Sequence, residues 1–119
     1  MKSTDLRIGN WYSEFGIPKQ VTPQMLLRLY EIEQSGKIAI DVSPLKIDEY
    51  WIDYFGLTNL NSIETKGGEI YLELDNKEIG ICGVDSCTSG MTYYAKCEFV
   101  HQLQNIWHSL NDEELNQKN

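Results

Sequence analysis

Two alternating runs, Ile70-Tyr71-Leu72-Glu73-Leu74 and Glu78-Ile79-Gly80-Ile81-Cys82, flank Asp75-Asn76-Lys77 and constrain the fold more than any other feature of the chain. A period of two gives each run one apolar face, and the Asp-Asn-Lys segment supplies turn chemistry, so the spacing predicts an antiparallel hairpin. A second, bent hairpin is expected over Leu6 to Val21, where Trp11, Tyr12, Ile17 and Val21 are strand formers and Gly9 and Gly16 allow a bulge or turn. Thr22 then offers a cap and Pro23 a first helical position. Leu26, Leu29, Tyr30 and Glu33 follow at helical spacing, and Gly36 supplies a stop.

Alternation through Ile38, Ile40 and Val42 predicts a half-buried strand over 37–42. Asp48 is placed to cap a short helix, with Ile47 and Ile52 spaced as a hydrophobic staple and Gly56 ending it. Lys66-Gly67-Gly68 is too short for a phosphate loop and reads as a turn. Met91 to Phe99 reads as a strand, and Val100 to Leu110 as a final helix. The order, roughly ββαβαβββα, lacks the alternation of a doubly wound sheet. It predicts an α+β fold: a small, mostly antiparallel twisted sheet or partial barrel with two to three helices.

Length and charge narrow the setting. A chain of 119 residues buries roughly 60 to 70% of its unfolded surface in one core, so a single domain over 1–111 is expected, with a polar, frayed tail over 112–119. No apolar stretch approaches the ~20 residues of a membrane span, and no basic segment leads into an apolar run, which together favour the cytosol. The 18 acidic and 10 basic groups leave a net charge of −8, which opposes nonspecific binding to nucleic acid or anionic lipid.

Three stretches carry a family resemblance: Asp5-Leu6-Arg7-Ile8-Gly9-Asn10-Trp11, Trp51 to Leu57, and Phe99-Val100-His101-Gln102-Leu103-Gln104-Asn105. With them the chain resembles small, functionally uncharacterised proteins encoded by phages, prophages and mobile elements of Bacteroidota. The family pattern opens with Leu-Arg-Ile-Gly-Asn-aromatic, passes through a Pro-rich lead-in to a short Trp-containing helix ending in Phe-Gly, and closes on Val-His-Gln-Leu-Gln-Asn followed by Glu-Glu-Leu. Here Lys46 stands where a second proline is often found, Asp48 replaces a capping threonine, and Asp112 replaces the glycine before Glu-Glu-Leu. The resemblance implies a genomic context; it transfers no activity and no catalytic residue.

At 100° per residue, Val100, Leu103, Ile106, Trp107 and Leu110 fall on one arc of the final helix, and His101, Gln104, Asn105 and His108 on the other. Imidazoles and carboxamides offer both donors and acceptors, so the second arc is a candidate recognition surface. A solvated helix face is the plainer alternative, and buried hydrogen bonding to neighbouring strands is a third. On the short helix, Trp51 and Phe55 are expected inside and Tyr50 and Tyr54 as a partly exposed pair able to anchor an interface. The cluster Trp11, Tyr12 and Phe15 is expected to be mostly core.

Cys82, Cys87, Cys97 and His101 form C-x4-C-x9-C-x3-H, but the first pair is wide for a zinc knuckle, so no metal is expected and Cys82 and Cys97 read as reduced strand thiols. Cys87 is the one nucleophile worth naming, without an elbow motif around it. No cofactor motif is present, and no catalysis is expected. The leading expectation is a noncatalytic phage or prophage accessory protein that binds a host protein in host takeover or inhibition of antiviral defence. The alternative is a sponge that sequesters a small nucleotide signal in a pocket, with homo-oligomers offering a site between subunits.

Overall fold

The computed structural model describes residues 1–57, 60, 62–83 and 93–117, and the chain clusters into two units, Met1–Leu45 and Lys46–Asn119. In the first, a 3-10 turn at Ser3–Asp5 precedes β1 (Trp11–Glu14), β2 (Ile17–Gln20), α1 (Pro23–Gln34) and β3 (Val42–Ser43). The sheet order is β2-β1-β3, antiparallel throughout. β1 and β2 meet in a two-residue turn at Phe15-Gly16, both with positive φ (51° and 84°), the backbone that matches strand twist in tight hairpins. Leu6, Tyr12, Val21, Met25, Leu29 and Val42 form the core of this unit.

α1 starts and stops where its sequence says it should. Thr22 Oγ1 accepts from the Met25 N–H at 3.2 Å, Pro23 occupies the first turn, and Gly36 follows the helix at φ +78°. The strand expected over 37–42 contracts to Val42–Ser43, and Ile38 and Ile40 project into solvent, Ile40 at 92% exposure. Pairing decides this. β1 turns away at Phe15, so only Ser13 and Glu14 are available, opposite Ser43 and Val42; beyond them a single bond, Phe15 N–H to Asp41 O at 3.0 Å, holds the approaching segment. Of the first aromatic cluster Tyr12 is core, whereas Phe15 is 78% exposed at the tip of the hairpin.

The second unit contains α2 (Glu49–Phe55), β4 (Ile63–Thr65), β5 (Gly68–Glu73), β6 (Glu78–Gly83), β7 (Tyr93–Lys96) and α3 (Val100–Asn111). Its strands form one antiparallel sheet in the order β4-β5-β6-β7. The expected hairpin is present, with Glu73 opposite Glu78 closing the ladder at the turn. Ile63, Ile70, Leu72 and Ile79 are buried on one face, while Glu64, Glu69, Tyr71 and Glu73 alternate onto the other. β4 is the element the sequence does not announce: three residues carry too little alternation to stand out. Lys66-Gly67 forms the turn between β4 and β5, where Thr65 Oγ1 donates to Gly68 O at 2.7 Å. Asp48 caps α2 by accepting from the Trp51 N–H at 3.2 Å, and Gly56 ends it in the left-handed region.

The class is α+β, as the sequence indicates, built on two small twisted antiparallel sheets rather than one, neither closed into a barrel. Among the described residues no helix is long and apolar enough to cross a membrane.

Candidate functional site

α3 opens at Phe99, where the Gln102 side-chain oxygen reaches back to accept from the Glu98 and Phe99 N–H groups at 2.9 and 3.0 Å. This side chain does the work of a cap in a segment with no Ser, Thr or Asp at the helix start. The helix then packs on an unexpected side. Val100, His101, Leu103, Gln104 and Asn111 are its buried residues, whereas Ile106, Trp107 and Leu110 remain partly exposed. Relative to the purely apolar arc, the buried face is rolled by roughly a quarter turn.

Polar anchoring explains the roll. Asn111 Oδ1 accepts from the Lys66 N–H at 3.0 Å, and its Nδ2 donates to Trp107 O at 3.3 Å, tying the helix end to the β4–β5 turn. The His101 ring stacks on Phe99 with centroids 6.0 Å apart and planes 8° from parallel. The buried Asn111 amide, bonded at both its oxygen and its nitrogen, costs the fold little, so it can displace a larger apolar group from the interior.

The proposed recognition stripe is therefore divided. His101 and Gln104, the latter only 2% exposed, belong to the packed face; Asn105 and His108 are half-exposed. His108 Nε2 lies 4.0 Å from Glu114 Oε1, and Ser109 Oγ donates to Asn105 O at 3.0 Å. On α2, Trp51 and Phe55 are buried, Tyr50 is exposed and Tyr54 is half-buried. The tyrosines stack at 6.2 Å with planes 27° apart, and Trp51 meets Tyr50 and Tyr54 edge-on. Tyr50 and Tyr54 thus form one aromatic ridge, and His101 and Gln104 belong to the interior.

Cys82 and Cys97 do not share one state. Cys82 is disulfide-bonded, which corrects the expectation of a reduced thiol there; an odd cysteine count leaves room for one bridge and gives no sign of it in the sequence. Cys97 is free and buried, and burial pushes its thiol up to about 12, which makes it a poor nucleophile and a poor metal ligand. Cys87 lies outside the described residues, so the four-ligand set is not assembled by them. Among the described residues no group of three or more His, Cys, Asp or Glu is arranged to hold a metal ion.

Two surface features have no counterpart in the sequence reading. A groove of about 400 Å³ on the first unit is lined by Ser3, Thr4, Ile8, Pro23, Leu26, Leu27 and Tyr30. In the second unit, Phe55, Leu57, Ile63, Trp107 and Leu115 share a cleft of about 420 Å³ with Glu64, Glu113 and Glu114, and none of the six proposed binding residues lines it. Exposed large apolar side chains concentrate in the first unit: among the described residues, seven of nine (Ile8, Phe15, Ile17, Leu27, Tyr30, Ile38 and Ile40) lie in Met1–Leu45. The signal available in the sequence was Phe15 before Gly16, an aromatic where a tight turn favours Asn or Gly. In comparison with known proteins, no family model, curated protein or solved structure matches the chain.

Proposed function

We propose that this chain is a noncatalytic binding protein that engages a protein of a bacterial host, as an accessory factor of a phage or prophage acting in the host cytosol on host takeover or antiviral defence. The observation that carries the binding reading is Phe15. It is a large apolar side chain, 78% exposed, held at φ +51° on a hairpin tip. A non-glycine residue in that region is uncommon and an aromatic one unfavourable, so the position costs stability twice, in backbone and in hydration. Ile17, Ile38 and Ile40 extend the apolar exposure, and the Phe15 N–H bond to Asp41 O fastens the tip to the 37–41 segment. Exposed aliphatic and aromatic groups gathered in this way are the material of protein interfaces. The bacterial and phage setting rests on the resemblance of the Leu6 to Trp11 and Phe99 to Asn105 motifs. The nucleotide-sponge alternative draws less support, because His101 and Gln104 are packed inside.

Phe15→Asn tests the reading, because Asn-Gly is the favoured pair for this turn. The variant is expected to unfold at a higher temperature than wild type and to lose its partner. A photo-crosslinking amino acid at position 15, expressed in the host, should yield one discrete adduct. Equal recovery of that partner by wild type and Phe15→Asn would sink the assignment.

A further inference from the structure

α1 carries apolar side chains on two opposite sides. Met25 and Leu29 belong to the core of the first unit, and at 100° per residue that places Leu27 directly outward, with Pro23, Tyr30 and Gln34 beside it. Leu27 and Tyr30 are each more than half exposed, as is Ile8, and all three line the groove of about 400 Å³ described above. A surface helix normally keeps its outer side polar, so apolar groups on both sides mark a helix with a neighbour on both. None of these residues belongs to the hairpin-tip group of Phe15, Ile17, Ile38 and Ile40.

Charge selects the neighbour. The first unit holds five basic and five acidic side chains; the second holds five basic and thirteen acidic, so the whole net charge of −8 lies there. Copies meeting through their second units would set like charge against like, whereas two first units meet without net repulsion. The ends of α1 point the same way. Its first turn has no acidic residue and its last turn no basic one; the last turn instead carries Glu33, held by Ser3, and Glu31, which is exposed. A carboxylate at a helix C-terminus opposes the macrodipole, while a helix N-terminus favours one. In an antiparallel pair crossing between Leu27 and Tyr30, residue 31 of one copy falls opposite residue 26 of the other, so Glu31 comes beside Gln24 in the first turn of the other helix. Each copy supplies what the other's helix end lacks.

We propose that the chain forms a two-fold symmetric dimer in which α1 packs antiparallel on α1 of a second copy, Leu27 of each packing on Tyr30 and the groove of the other. A parallel pair would set Glu31 against Glu31 and leave both helix ends uncompensated. The surface available is small: a helix of about 18 Å and the groove beside it fall short of the roughly 800 Å² per partner of a standard interface. The dimer is therefore weak, half-assembled at roughly 10–100 μM.

The full chain, sedimented at concentrations from about 1 to about 500 μM, should pass from monomer to dimer. Leu27→Glu keeps a good helix former at an exposed position, so its helical circular dichroism should match wild type while dimerisation weakens about tenfold or more. Gln24→Lys sets a cation beside Glu31 of the other copy and should tighten the dimer roughly threefold, a gain that adding Glu31→Gln should remove. In a parallel pair the same lysine would meet its own counterpart and loosen the dimer. Phe15→Asn should dimerise as wild type does, which separates this surface from the hairpin tip. Wild type that stays monomeric throughout, as it would if the groove served a foreign protein, overturns the proposal. So does an undiminished dimer in Leu27→Glu, a looser one in Gln24→Lys, or one lost in Phe15→Asn.

Discussion

Gly67 lies so close to Leu110 that a Cβ on it would stand 3.0 Å from the Leu110 carbonyl oxygen and 3.1 Å from Leu110 Cδ2. The β4–β5 turn is seated directly on the end of α3, beside the bond from Lys66 N–H to Asn111 Oδ1. Since the first atom met is backbone, Gly67→Ala has no flexible neighbour to push aside. It should cost about 1–3 kcal/mol in urea unfolding, the usual penalty of overpacking. Gly36→Ala is the control for backbone strain alone: nothing lies within 4 Å of its Cβ position, yet its φ of +78° should cost about 1 kcal/mol. A Gly67→Ala chain as stable as wild type would mean that the turn and helix do not meet.

Seven residues are too few for α2 to persist without its ends and its packing. Asp48→Ala removes the acceptor for the Trp51 N–H and should lower stability by about 1 kcal/mol, whereas Asp48→Asn should retain most of it. Because Tyr50 and Tyr54 ride on this helix, the alanine variant should also weaken the near-ultraviolet circular dichroism of the aromatic ridge. Identical stability of the two variants would remove the cap from the account.

The elements legible in the sequence are those fixed by local chemistry. Thr22-Pro23 and Gly36 bound α1, Asp48 and Gly56 bound α2, and the alternation of Ile70 to Cys82 defines a hairpin, because each signal acts within four or five residues of itself. What alternation does not contain is the partner. Ile38, Ile40 and Val42 carry a strand pattern, but β1 offers only Ser13 and Glu14 to pair with, so the pattern dissolves at Asp41. The same holds for α3. Its apolar arc was visible, but the buried face is set by Asn111 at the β4–β5 turn and His101 on Phe99, contacts that lie beyond helical periodicity. Hence the aromatic pair of α2 is legible as partly exposed, whereas for the His/Gln stripe the sequence offers burial only as the third of three readings, and the contacts that select it for His101 and Gln104 lie outside the helix.

Glu33, near the end of α1, accepts from both the backbone N–H and the hydroxyl of Ser3, and these bonds hold its carboxyl below the ordinary carboxylate range. A depressed carboxyl stabilises the folded state above its unfolded pKa, and the contribution is lost as pH falls through the folded value. The junction between the N-terminal 3-10 turn and α1 should therefore loosen only in acid, below the usual glutamate range. The protection factor of the Ser3 amide, its exchange rate relative to the intrinsic rate at each pH, reads this directly, and Glu33→Gln should abolish the change in protection with pH while leaving the rest of α1 protected. A Ser3 protection factor that does not fall in acid in wild type would count against the bond.

Pro18 faces Ser13 across the first hairpin, one step beyond the hydrogen-bonded pair Glu14–Ile17 that closes the turn. By alternation Ser13–Pro18 is a non-bonded pair, so the Pro18 nitrogen points away from β1, toward the open edge of the sheet. The edge thereby lacks a donor where a neighbouring chain would need one, which blunts edge-to-edge pairing while Ile17 stays exposed beside it. Pro18→Val should leave the hairpin intact, since no ladder bond is made at that position, and restore the missing N–H. Sedimentation velocity should then show association that rises with concentration and exceeds that of wild type under the same conditions. If Pro18→Val sediments as wild type does, the proline is not what keeps this edge from pairing.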